Sequence, residues 1–180
     1  MMAKLFSLIA ALAIFPSATA VVAQSSWLEN GKSAHQDTSR ASDGTFGAML
    51  VLTDDWEGFT QRWERPSAGF EAPEVRSIQK GHPLMSAIIF TGCKPDSTGN
   101  CSVTADFRVT DPSGKNYADQ RDVNIWSLPP PPAPQLQLSA GGLGLSLDPP
   151  DPLGTYLVVV RITDRIANRT LEVRTIFLAK

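Results

Sequence analysis

Histidine is nearly missing from this 180-residue chain, which holds only His35 and His82. General acid–base and nucleophilic catalysis lean heavily on that side chain, so the commonest routes to enzymatic chemistry are thinly supplied. His35 stands in a polar stretch, and His82, between Gly81 and Pro83, reads as a surface turn residue. No G-x-S-x-G elbow, H-E-x-x-H pair or phosphate-cradling glycine loop occurs. Gly141-Gly142-Leu143-Gly144 opens no helix and has no adjacent lysine, so it reads as a turn. Excess positive charge is lacking as well. The 16 basic residues are outnumbered by 18 acidic ones, which is no footprint for nucleic acid or anionic lipid. Cysteine is limited to Cys93 and Cys101, with seven residues between them. A redox motif would place them closer, and a zinc site would need two further ligands at metal spacing. An even cysteine count in an exported chain predicts a disulfide.

What is present begins with an export signal. Lys4 supplies a positive start, Leu5 to Phe15 form an apolar run, and small residues follow. Ala18-Thr19-Ala20 and Val21-Val22-Ala23 both fit the small-x-small cleavage rule. Cleavage after Ala23 is the expectation, making residues 1–23 the signal peptide. The apolar run falls short of the roughly 20 residues a membrane span needs. Removing 23 of the 180 residues leaves 157, with 15 basic and 18 acidic side chains. That length suits one domain. No second long apolar stretch exists, so no stable membrane span is expected after cleavage. The expected location is the periplasm, or secretion, by a Sec-type route.

Residues 24–44 are polar and without period, and read as a flexible leader; Trp27 and Leu28 are their only bulky apolar members. The folded domain is expected over residues 45–180. Phe46 to Leu52 is a continuous apolar run suited to a buried strand. Trp56, Phe59, Thr60 and Trp63 then share one face of a short helix, with Asp54 or Asp55 placed to cap it and Pro66 to stop it. Leu84 to Thr91 is a second apolar strand. Val103, Ala105, Phe107 and Val109 alternate with polar residues, the clearest period-two pattern in the chain. Strand, disulfide-clipped loop and strand together predict an antiparallel hairpin. Asp111-Pro112-Ser113-Gly114 is a turn, Asp122 to Leu128 a further strand, and Pro129 to Pro134 an extended crossing connection or edge. Short alternating runs follow at Leu136 to Leu138 and Leu143 to Leu147. In the two closing strands Tyr156, Val158, Val160 and Ile162 share one face, as do Leu171, Val173 and Phe177, interrupted by Thr175. Strand runs without alternating helices predict an all-β fold: an antiparallel β-sandwich of about seven strands with one short inserted helix. A small closed barrel is the competing arrangement.

The stretch Asp151-Pro152-Leu153-Gly154-Thr155-Tyr156, continued through Val160 and from Asp164 to Glu172, resembles the closing hairpin of immunoglobulin-like and macroglobulin-like domains. The Asp111-Pro112-Ser113-Gly114-Lys115 turn is common in such modules. The mature chain as a whole is similar to a family of exported bacterial proteins of this size. The resemblance implies an immunoglobulin-like β-sandwich and confers no catalytic residue. Unlike antibody-type domains, the chain has its cysteine pair within one expected hairpin.

Asp54, Asp55 and Glu57 cluster, but helix capping accounts for them without paired-carboxylate chemistry. The acidic turns at Asp96, Asp148 and Asp151 lack a D-x-D-x-D-G calcium loop. No cofactor or metal is expected. Aromatic side chains supply the binding candidates. Trp56, Trp63 and Trp126 offer flat apolar faces to a partner, with Trp126, beside the proline run, the best placed at the surface. The expectation is a non-catalytic binding or assembly module, acting through a sheet face or an exposed strand edge on an unknown envelope protein or glycan. An envelope-associated carbohydrate-binding domain and an unrecognised type of hydrolase are the alternatives.

Overall fold

Strands whose apolar residues are continuous need cover on both faces, and strands that alternate need it on one. That difference organises the molecule. The computed structural model describes residues 38–65, 72, 74–132 and 135–180, together with the backbone of two short paired strands, β1 (Leu28–Glu29) and β2 (Lys32–Ser33). The signal-peptide residues, Trp27, His35, Pro66 and Phe70 lie outside the described residues. The continuous runs form β4 (Phe46–Thr53) and β6 (Pro83–Thr91), paired antiparallel. β3 (Arg40–Asp43) joins the free side of β4. β9 (Gln137–Leu138) and β10 (Leu143–Ser146) both pair with β6. The alternating runs form the second sheet: β8 (Asn116–Trp126), β7 (Val103–Thr110), β11 (Gly154–Asp164) and β12 (Arg169–Ala179), in that spatial order. β5 (Ser77–Ile78) pairs with the end of β12 and runs parallel to it, so this sheet is mixed. The protein is thus mostly β with one short helix, and among the described residues it has more strands than the about seven expected, several of them two to four residues long.

The two sheets face each other across a single apolar core. Phe46, Ala48, Leu50, Leu52, Leu84, Ile88 and Phe90 enter it from one side. Val103, Phe107, Val109, Tyr156, Val158, Val160, Ile162, Val173 and Phe177 enter from the other. Each fully buried large side chain contributes about 1.5–3 kcal/mol. Thr175, the interruption in the last strand, also points inward; its hydroxyl accepts a bond from Arg76 at 3.0 Å.

The opposite faces of β4 and β6 are covered by α1 (Trp56–Glu64). Asp55 caps the helix through its carboxylate, which accepts the Gly58 N–H at 2.9 Å. Phe59 is fully buried against Val51, Ala87, Ile89 and Leu138, and Trp56 and Trp63 flank it edge-on. A continuous apolar strand is what such two-sided cover requires.

The expected hairpin across the cysteines is not formed. Cys93 and Cys101 are bonded and buried, but β6 belongs to one sheet and β7 to the other, so the clipped loop is a crossover between layers. The physical reason is legible afterwards: partners in one hairpin share the same cover, whereas β6 is buried on both faces and β7 on one. Arg40–Asp43, within the expected leader, is a strand rather than free chain. Pro129 to Pro132 also link the layers, from β8 toward β9, while Ala133 and Pro134 lie outside the described residues. At one margin of the core Arg174 N–H bonds the Thr38 carbonyl at 2.5 Å; at the other Ala140 N–H bonds the Ile125 carbonyl at 2.9 Å.

Candidate functional site

The acidic residues are largely engaged by their own backbone. Asp96 accepts bonds from the Thr98 amide and hydroxyl and the Asn100 amide, and Asp111 accepts the equivalent set from Ser113 and Lys115. The hydroxyl bonds, from Thr98 and Ser113, are the main cause of carboxyl pKa values held below the ordinary aspartate range. Asp151 accepts the Tyr117 hydroxyl at 2.6 Å and the Asp148 amide at 2.7 Å. Burial, and then this carboxylate, push the Tyr117 phenol well up. Asp164 is fully buried and accepts the amides of Lys94, Ile166 and Ala167. His82 is exposed in a turn closed by its amide on Gln79. Among the described residues no three His, Cys, Asp or Glu side chains converge as metal ligands would, and no helix is long and apolar enough to cross a membrane.

The three candidate tryptophans do not meet in one place. Trp126 is half-buried at the end of β8, edge-on to Phe90 at 5.9 Å, with its indole N–H on the Pro129 carbonyl at 3.1 Å. It fastens the start of the proline run to the core. Trp63 packs on Phe59. Trp56 lines a groove of about 420 Å³ with Thr53, Leu84, Met85, Leu145 and Ser146.

A feature that single-residue reading misses lies on the outer face of the β8–β7–β11–β12 sheet. Strand register sorts its outward side chains into rows. Thr104, Thr163 and Thr170 form the first row, with the last two hydroxyls 3.0 Å apart. Asp106, Arg161 and Glu172 form the second, and Arg108, Val159 and Arg174 the third. Thr110, Leu157 and Ile176 form the fourth. Beyond them, next to Thr155, comes Leu178. Ile176 and Leu178 are 50% and 40% exposed. On β8, Asp119 lies opposite Arg108, and Arg121 follows at an irregularity where the Asp122 amide bonds the Asp106 carboxylate. Arg121 bonds Asp119 at 3.0 and 3.1 Å; this holds the Asp119 carboxyl below its ordinary range and raises the guanidinium in return. The charged rows border a cavity of about 280 Å³. Alternation along β11 and β12 is visible in the sequence, but the rows depend on register between strands.

No protein-family model matches the chain, and no curated protein matches it. Among solved structures it is similar to a family 123 glycoside hydrolase from Clostridium perfringens, at 11% identity and a TM-score of 0.44. The match covers 76% of this chain and 27% of that one. A likeness at that level carries no argument about activity.

Proposed function

We propose that this protein is an exported, non-catalytic binding or assembly module with an immunoglobulin-like β-sandwich, and that it engages its partner through the outer face of the β8–β7–β11–β12 sheet. The carrying observation is that face itself: ordered rows of mixed charge beside half-buried Leu157 and exposed Ile176 and Leu178, on the sheet that α1 leaves uncovered. Ile176 and Leu178 are large and exposed in adjacent rows, with half-buried Leu157 beside Ile176, and contiguous exposed apolar surface marks interaction sites.

β4, β6 and β10 share one layer, β8, β7, β11 and β12 the other, and the chain changes layer between β6 and β7, as Greek-key sandwiches do. Tyr156, near the start of β11, bonds back to the Pro152 carbonyl at 2.9 Å, in the manner of the tyrosine corner of immunoglobulin-like domains. Export is supported by the signal-like N-terminus and by the disulfide. The engagement of the turn carboxylates by backbone amides supports a non-catalytic role.

The test is capture from envelope extracts after crosslinking, with wild type beside Arg161→Glu and Ile176→Arg. Both positions are exposed, so the fold survives substitution, and the variants are expected to lose the partner. Undiminished capture by both would remove the face as the binding site. A second reading, glycan binding, draws on the Trp56 groove. It expects tryptophan fluorescence to respond to envelope oligosaccharides and Trp56→Ala to abolish the response.

A further inference from the structure

We propose that the partner of this face is a second copy of the chain, docked face to face about a two-fold axis. The inference rests on the docking-face reading above and adds the identity of the occupant. Its basis is the sign of neighbouring charges along each strand. Successive outward residues are Asp106 and Arg108 on β7, and Glu172 and Arg174 on β12. On β8 the order is reversed: Asp119 lies opposite Arg108, and Arg121, at the irregularity, lines the same cavity as Asp106. On β11 they are Arg161 and Val159.

A two-fold axis that lies in the interface and crosses the strands between the second and third rows exchanges those rows. Asp106 then meets Arg108 of the other copy, Glu172 meets Arg174, and Arg121 meets Asp119. Each contact occurs twice, as an isologous interface requires, and every one pairs opposite signs. Arg161 lies over the apolar Val159 of the other copy, and Leu157 and Ile176 lie over the methyl groups of Thr163 and Thr170. An axis along β11 sets Asp106 on Glu172 and Arg108 on Arg174, like on like. An axis along the strands midway between β7 and β11 sets Asp106 on Arg161, Arg121 on Glu172 and Asp119 on Arg174. Only the arrangement with the axis across the strands is restored by combining opposite charge reversals at Glu172 and Arg174. Within the chain Arg161, Glu172 and Arg174 make no ion pair among the described residues, which leaves their charges available. Four strands about 4.8 Å apart and four rows about 7 Å apart give a footprint of about 500 Å² per copy. Together the copies cover about 1,000 Å², the lower bound for a specific interface. Such a dimer is weak, and salt loosens it because its charges sit at a solvated face.

The experiment is sedimentation equilibrium of the signal-cleaved protein across micromolar to submillimolar concentration, at low and at high salt. Wild type is expected to double its mass at low salt and to dissociate at high salt. Glu172→Arg alone sets two arginines against two, and Arg174→Glu alone sets two acids against two, so each variant by itself stays monomeric. Mixing the two variants restores opposite signs at every contact, and a dimer forms from one chain of each. A monomeric wild type at low salt, or a mixture that stays monomeric, overturns the proposal. If capture from envelope extracts still depends on Arg161 and Ile176 in that case, the docking-face reading stands without self-association. If it does not, both fall.

Discussion

Asp164 is where the disulfide loop is held to the closing hairpin, and its removal has a calculable cost. One carboxylate oxygen accepts the Lys94 amide at 2.7 Å, next to Cys93; the other accepts Ile166 and Ala167 at 3.0 and 3.1 Å, in the β11–β12 turn. A hydrogen bond to a charged group contributes about 1.5–3 kcal/mol net, and a donor left buried without an acceptor costs in the same range. All three bonds are part-buried, so each freed amide recovers some of its loss from water. Asp164→Ala is therefore expected to destabilise by about 3 kcal/mol, which for a chain of this size lowers Tm by about 10 °C. Asp164→Asn keeps one accepting oxygen and turns an NH2 toward the remaining donors, so about half the loss is expected. Urea unfolding followed by tryptophan fluorescence gives both values. Amide exchange should accelerate first at Lys94, Ile166 and Ala167, ahead of the sheet interior. A loss below about 1 kcal/mol for the alanine variant, or exchange unchanged at those amides, would refute the assignment of Asp164 as the tie.

Further outcomes follow from the same structure. Gly92 has φ +72°, and a Cβ there would lie 1.8 Å from the Thr45 carbonyl oxygen; Gly114, at φ +83°, has nothing within 4 Å. Gly114→Ala should cost about 1 kcal/mol and Gly92→Ala more than about 3 kcal/mol, and equal melting temperatures would contradict the packing described. The protein has two tyrosines, both with phenols raised, chiefly by burial and then by neighbouring carboxylates. A folded-state pKa above the unfolded one contributes stability fully present below about pH 10, lost as pH rises through the folded value. Spectrophotometric titration should place both phenol transitions above the ordinary value near pH 10, and an ordinary transition there would count against it. Ser86 is fully buried in the core, and its hydroxyl meets no partner among the described residues. Ser86→Ala is expected to hold or raise stability by up to about 1 kcal/mol, and a clear loss in urea unfolding would show that the hydroxyl is bonded.

Strand character was readable wherever burial writes a pattern. Val103 to Val109 and the faces of β11 and β12 alternate in the sequence because one side is core and the other water. Asp55, Phe59 and the flanking tryptophans announced α1. Strands that bury little leave no such trace. β3 is half-exposed throughout, the first part of β8 is nearly all exposed, and β5 is two residues long. Polar edge residues read as leader or loop. Alternation fixes a face and not a neighbour, so a crossover at Cys93 and Cys101 carries the same sequence signature as a hairpin. The charged rows were hidden for a related reason: Arg161 becomes a neighbour of Asp106 only once β7 and β11 are in register.

The two marginal hydrogen bonds, Arg174 to Thr38 and Ala140 to Ile125, bear on how the protein behaves when crowded. Each ties a border of one sheet to chain from the other layer, and the positive φ at Asp122 bends the β8 edge, so an incoming chain meets an interrupted line of backbone groups. Ribbon growth from these edges is thereby disfavoured. The open outer face, rather than a strand edge, is therefore the surface on which the proposed docking depends.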